Sequence, residues 1–96
     1  MIMDRTILIN ILKEEDYPVH MIERTASKLE NLQPKVAAAL ENWILKGDFP
    51  SLTVDDYSFS SLVSDYGMKP IGALLTLDWL IRDPERAKQS LKRGIR

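Results

Sequence analysis

The stretch Pro70-Ile71-Gly72-Ala73-Leu74-Leu75-Thr76-Leu77-Asp78-Trp79-Leu80-Ile81-Arg82 decides the fold. Eight of these thirteen residues are apolar, and at helical spacing they surround the axis nearly completely. A helix that is apolar on every side is normally buried on every side. Pro70 is tolerated in its first turn, where the missing N–H has no intrahelical partner anyway. The spacing therefore predicts a central helix over 70–82 with the other elements packed around it. Two residues do not fit a plain buried helix. Gly72 costs about 1 kcal/mol of helix propensity relative to Ala, and a close approach by another helix would account for it. Asp78 is either buried and paired with an Arg or a helix N-terminus, or it marks the one solvent-facing line. The solvent-facing reading costs less and is the expectation.

Working outward, Asp83-Pro84-Glu85 is a helix start: a cap, a proline in the first position and an acid in the second. Ala87 and Leu91 of that last helix should face inward, Arg86, Lys88, Lys92 and Arg93 should face water, and Gly94 should end it. Upstream of the central stretch, Ser58 can cap a short helix carrying Phe59, Leu62, Val63 and Tyr66 on one face, with Gly67 ending it in a left-handed conformation. Residues 48–57 break the helical pattern. Leu52, Val54 and Tyr57 can pin them to the core in extended form, but one strand-like piece has no partner, so no sheet is expected.

Earlier still, a helix should begin near Pro34 and end at Gly47, with Val36, Leu40, Trp43 and Ile44 as its buried stripe and Lys46 in the last turn. A second should begin at or just before Pro18, with Val19, Ile22, Ala26 and Leu29 in line. A first should span 4–15, capped by Asp4, carrying Ile7, Leu8, Ile11 and Leu12 on one face and stopped by Glu14-Glu15-Asp16 and Pro18. Trp43 and Trp79 read as core anchors; otherwise one of them lies in an exposed patch that docks a partner. The predicted fold class is all-α: a compact bundle of five to six short helices around the helix at about 70–82, forming one domain over 1–96 with a basic C-terminal helix and tail at 83–96.

At 96 residues the chain buries about two-thirds of the surface its unfolded form exposes, enough for one core. Apolar residues make up 45% and charged residues 28%, which argues against disorder. There is no cysteine, so disulfides and thiolate metal sites are excluded. Met1-Ile2-Met3-Asp4-Arg5 lacks the basic start and apolar run of a signal peptide, and no apolar run approaches the roughly 20 residues of a membrane span. A cytoplasmic protein with no membrane association is expected. Charge is uneven: residues 1–81 carry a net −5 and residues 82–96 a net +4.

Few constellations suggest chemistry. A helix-turn-helix with Gly67-Met68-Lys69 as its turn would cover 58–82. Its second helix presents Ile71, Leu74, Leu75 and Leu77 where base readout needs polar side chains, so a tight corner inside the core is expected. Arg82, Arg86, Lys88, Lys92 and Arg93 are the candidate contacts to nucleic acid or an acidic partner, but no aromatic residues interleave with them to stack on bases. Asp55-Asp56 and Glu14-Glu15-Asp16 are adjacent in sequence, and such neighbours are normally both solvated; Asp56, three residues after Thr53, reads as a turn residue. His20 is the sole histidine and reads as exposed, with no metal-ligand spacing around it. Ser58, Ser60, Ser61 and Ser64 have no nucleophile elbow, and no glycine-rich phosphate loop exists. No catalytic residue, cofactor or metal is therefore assigned. The expected function is that of a small non-enzymatic intracellular module for protein interaction or regulation, with a protein partner or a second copy as its target. The alternative is a nucleic-acid-binding accessory protein using the 58–82 corner and the basic helix.

Overall fold

Residues 4–93 are described by a computed structural model. The fold is all-α, with six short helices among the described residues: α1 (Arg5–Glu14), α2 (Val19–Leu29), α3 (Pro34–Lys46), α4 (Phe59–Ser64), α5 (Pro70–Arg82) and α6 (Pro84–Lys92). Two very short strands, β1 (Thr53–Val54) and β2 (Tyr57–Ser58), lie between α3 and α4. The described chain divides into two compact units, one ending at Leu32 and the other beginning at Gln33.

In the first unit, Asp4 caps α1 as expected, its carboxylate accepting from the Thr6 N–H at 3.3 Å. Leu8 and Leu12 are buried on α1, and Ile22, Thr25, Ala26 and Leu29 on α2. Arg5 fastens the hairpin. Its guanidinium donates to the Glu23 carboxylate (2.8 Å), the Glu23 carbonyl (3.1 Å), Ser27 Oγ (3.2 Å) and the Glu30 carboxylate. The hydrogen bond that Arg5 donates to the Glu23 carboxylate raises the Arg5 pKa further above its ordinary value. Val19, expected in the buried stripe, is instead 85% exposed. It is the first residue of α2, and a helical Cβ tilts toward the N-terminus, so its side chain points past the end of the helix. Thr25 completes the buried arc instead.

In the second unit, α5 holds Ile71, Ala73, Leu74, Leu77, Asp78 and Leu80 buried and packs against α3, α4, α6 and β1. The central role predicted for it holds within this unit. Local chemistry sets the neighbouring ends. Pro34, Pro70 and Pro84 each open a helix. Ser58 Oγ accepts from the Ser61 N–H at 3.1 Å and caps α4. Gly47 and Gly67 take φ of 75° and 69° just beyond α3 and α4, the left-handed conformation that costs glycine least. Ala87 and Leu91 of α6 are buried as predicted.

Three expectations fail here. Asp83 occupies the cap position of α6, but its side chain makes no capping bond and lies 3.8 Å from Arg86 Nε instead. Trp43 is only half-buried and Trp79 is exposed, so neither is a core anchor. The open line of α5 runs through Gly72, Thr76 and Trp79 to Arg82, at spacings of four and three. A sheet also exists: β1 pairs antiparallel with β2, Thr53 opposite Ser58 and Val54 opposite Tyr57. The partner of the strand-like piece is the next few residues. Asp55, at φ 54°, turns the chain there, a conformation that Asp tolerates better than most residues. The Phe59 N–H donates to the Leu52 carbonyl at 2.9 Å and extends the ladder by one bond. Gly94, predicted to end the last helix, and Arg96 of the basic tail lie outside the described residues.

Candidate functional site

Of the five candidate cations, two are held by carboxylates. Arg82 Nε donates to Asp78 Oδ2 at 2.7 Å, and Lys88 Nζ lies 3.2 Å from Asp55 Oδ2, tying α6 to the β-turn. Arg86, Lys92 and Arg93 are exposed, and Arg86 keeps only its long contact to Asp83. Three of the five are therefore exposed with no carboxylate closer than 3.8 Å among the described residues.

Asp78 is the buried carboxylate of the second unit, at 8% exposure, which overturns the solvent-facing reading. One oxygen accepts from Arg82; the other accepts from the Gln33 N–H at 2.7 Å, just before α3. An arginine and a helix N-terminus share this charge, which offsets the cost of removing it from water. Both oxygens are engaged with the protein itself, so the arrangement is one that joins α3 to α5. The α4–α5 corner is closed in the same way. Ile71, Leu74 and Leu77 are buried and Leu75 is half-buried, and the side chains that base readout would require are absent from that face.

The serines of α4 serve local bonds. Ser61 Oγ donates to Asp65 Oδ2 at 3.3 Å and Ser64 Oγ to the Ser60 carbonyl at 2.8 Å. His20 is exposed, as expected. Among the described residues no group of three or more His, Asp and Glu side chains could hold a metal ion, and no helix is long and apolar enough to cross a membrane.

The end of α3 carries a feature that the sequence reading missed. Within Trp43-Ile44-Leu45-Lys46-Gly47-Asp48-Phe49, Leu45 is 67% exposed and Phe49 is 58% exposed, while Trp43 and Ile44 are half-buried. Phe49 stands edge-on to the buried Phe59 ring, centroids 4.9 Å apart, which fixes one side of it and leaves the other to water. A signal for this was present: Leu45 falls off the Val36-Leu40-Trp43-Ile44 stripe, and Phe49 sits in a connector two residues after Gly47.

No family model, curated protein or solved structure matches the chain. The functional reading therefore rests on these side chains alone.

Proposed function

We propose that this chain is a small cytoplasmic module for protein interaction or regulation, without enzymatic activity of its own. The observation that carries the reading is the apolar end of α3, where Leu45 and Phe49 are exposed beside half-buried Trp43 and Ile44. Aromatic and aliphatic side chains gathered in so short a segment lose water when a partner covers them, and large aromatics are the usual anchors of such contacts. The carboxylate that burial makes most unusual, Asp78, is engaged in joining helices, which also favours a binding role over a catalytic one.

The test compares the tagged full chain with a Leu45→Glu, Phe49→Ser variant in affinity capture from the native host, with light scattering alongside. A protein captured by the wild type and lost on the variant, or a dimer that the variant dissolves, supports the reading. An identical captured set and an identical mass for both proteins overturn it. The nucleic-acid reading draws on the exposed Arg86, Lys92 and Arg93. It requires salt-sensitive binding to duplex DNA that disappears when those three are neutralised.

A further inference from the structure

We propose that the outward face of α2, formed by Met21, Arg24 and Lys28 in line with His20 beside them, docks an acidic amphipathic segment of a partner protein. This surface belongs to the first unit and the apolar end of α3 to the second, and the inference does not depend on that segment.

The reasoning starts from helix spacing. Side chains three and four residues apart on a helix are neighbours, and like charges at those spacings destabilise it. The helical neighbours of Arg24 at these distances are His20, Met21, Ser27 and Lys28. Those of Lys28 are Arg24, Thr25, Asn31 and Leu32. Neither cation has a carboxylate three or four residues away along the helix, and the two are neighbours of each other. The acids nearest in sequence, Glu23 of α2 and Glu30 at its C-terminal cap, are both turned to Arg5 of α1. No ion pair joins Arg24 or Lys28 to another described residue. The result is an exposed cationic row on a chain whose first 81 residues are net acidic.

The start of α2 adds to the same sign. Pro18 offers no side-chain acceptor to the first N–H groups, and no acid stands in the first turn to offset the positive end of the helix dipole. Apolar side chains lie along the row. Met21 is exposed three residues before Arg24, and Val19 is 85% exposed at the helix start. Methionine adapts its shape to whatever covers it. Two exposed cations with apolar neighbours match a segment that carries carboxylates and apolar residues together. Nucleic acid is the poorer fit: phosphate-directed binding draws on more cations than this, about 6–10 contacts in well-studied cases, and the row has no aromatic residue to stack on bases.

The probe is a labelled synthetic helical peptide with glutamates at four-residue spacing and leucines between them, titrated with the full chain by fluorescence anisotropy. A glutamine version of the peptide and a short DNA duplex serve as comparisons. The expected result is saturable binding of the glutamate peptide, at least tenfold weaker for Arg24→Glu and unchanged for Leu45→Glu, Phe49→Ser. Arg24→Glu should meanwhile raise Tm by about 2–4 °C, because it replaces a repulsion with a Glu–Lys pair of favourable order. Stability gained together with binding lost would mark a surface kept for a partner. Absence of saturation, equal binding of the glutamine peptide, or tighter binding of the duplex lost in the same variant overturns the proposal.

Discussion

Replacing Asp78 by alanine should destabilise the protein by about 2–3 kcal/mol, most of it through one backbone bond. The Gln33 N–H donates to this carboxylate at 2.7 Å in a part-buried position. A hydrogen bond to a charged acceptor contributes about 1.5–3 kcal/mol, and the stranded N–H loses its partner. The Arg82 guanidinium is 45% exposed in its side chain and can return to water, so its pairing contributes about 1 kcal/mol at most. Alanine returns about 0.5 kcal/mol of helix propensity. Arg82→Ala should therefore cost less than Asp78→Ala. Asp78→Asn, which keeps an acceptor for Gln33 but sets an amide against Arg82, should fall between wild type and Asp78→Ala.

Urea unfolding followed by far-ultraviolet circular dichroism reads these differences. With a slope of roughly 1–1.5 kcal/mol per molar for a chain of this size, Asp78→Ala should lower the midpoint by about 2 M with the slope unchanged. Amide exchange at Gln33 should accelerate in Asp78→Ala and stay slow in Arg82→Ala. The reasoning is refuted if Asp78→Ala unfolds at the wild-type midpoint. It is also refuted if Arg82→Ala costs as much, since the ion pair and not the backbone bond would then be the stabilising contact.

Other perturbations test the remaining elements. Leu77→Asp sets an unpaired charge at a position with no exposure and should unfold the second unit, seen as loss of the cooperative thermal transition; a folded variant would contradict the central place of α5. Gly67→Ala meets nothing within 4 Å, so its cost is purely that of forcing a side-chain-bearing residue to φ 69°, about 1 kcal/mol, and a D-alanine at the same position should restore wild-type stability. Burial, and secondarily Glu15, raises the Tyr17 phenol above its ordinary value of 10.0. The neutral phenol therefore stabilises the fold below that value, and this stability is lost as pH rises through the higher folded value. A Tyr17→Phe variant should show a shallower fall of Tm between pH 9 and 11 than wild type, and parallel curves would exclude the effect.

The features legible in the sequence are those fixed by a residue and its immediate neighbours. Asp4 and Ser58 cap because a short side chain can reach an N–H two or three residues on. Gly47 ends α3 because its φ is positive, whereas α4 stops at Asp65 and Gly67 takes its positive φ in the turn that follows; Pro34, Pro70 and Pro84 open helices because φ is preset. Periodicity likewise located the central helix. It did not resolve which line of that helix faces water. Asp78 and Trp79 are adjacent, 100° apart, and eight apolar residues in thirteen leave the direction of the core ambiguous. Charge suggested Asp78 as the outward residue, because its compensating N–H lies 45 positions away and is invisible to local spacing. The β1–β2 hairpin escaped for the opposite reason. Strands of two residues are too short to show a period of two, and their pairing partners are almost next to each other.

These departures from local rules separate into two kinds, and the separation underlies both proposals. Asp78 breaks the rule against charge in a core, but two partners at 2.7 Å account for it within the fold. Asp55 breaks the rule against positive φ outside glycine, and the hairpin turn and Lys88 account for it in the same way. Leu45, Phe49, Arg24 and Lys28 also break rules, since exposed apolar bulk and neighbouring like charges both carry a cost. Phe59 accounts for one face of Phe49, and the described fold contains nothing that repays the rest. Natural sequences keep such uncompensated features where something outside the chain compensates them. A mutational scan offers a direct comparison: substitutions at Asp78 and Asp55 should lower stability first, whereas substitutions at Leu45 and Arg24 should leave or raise stability and lower partner binding.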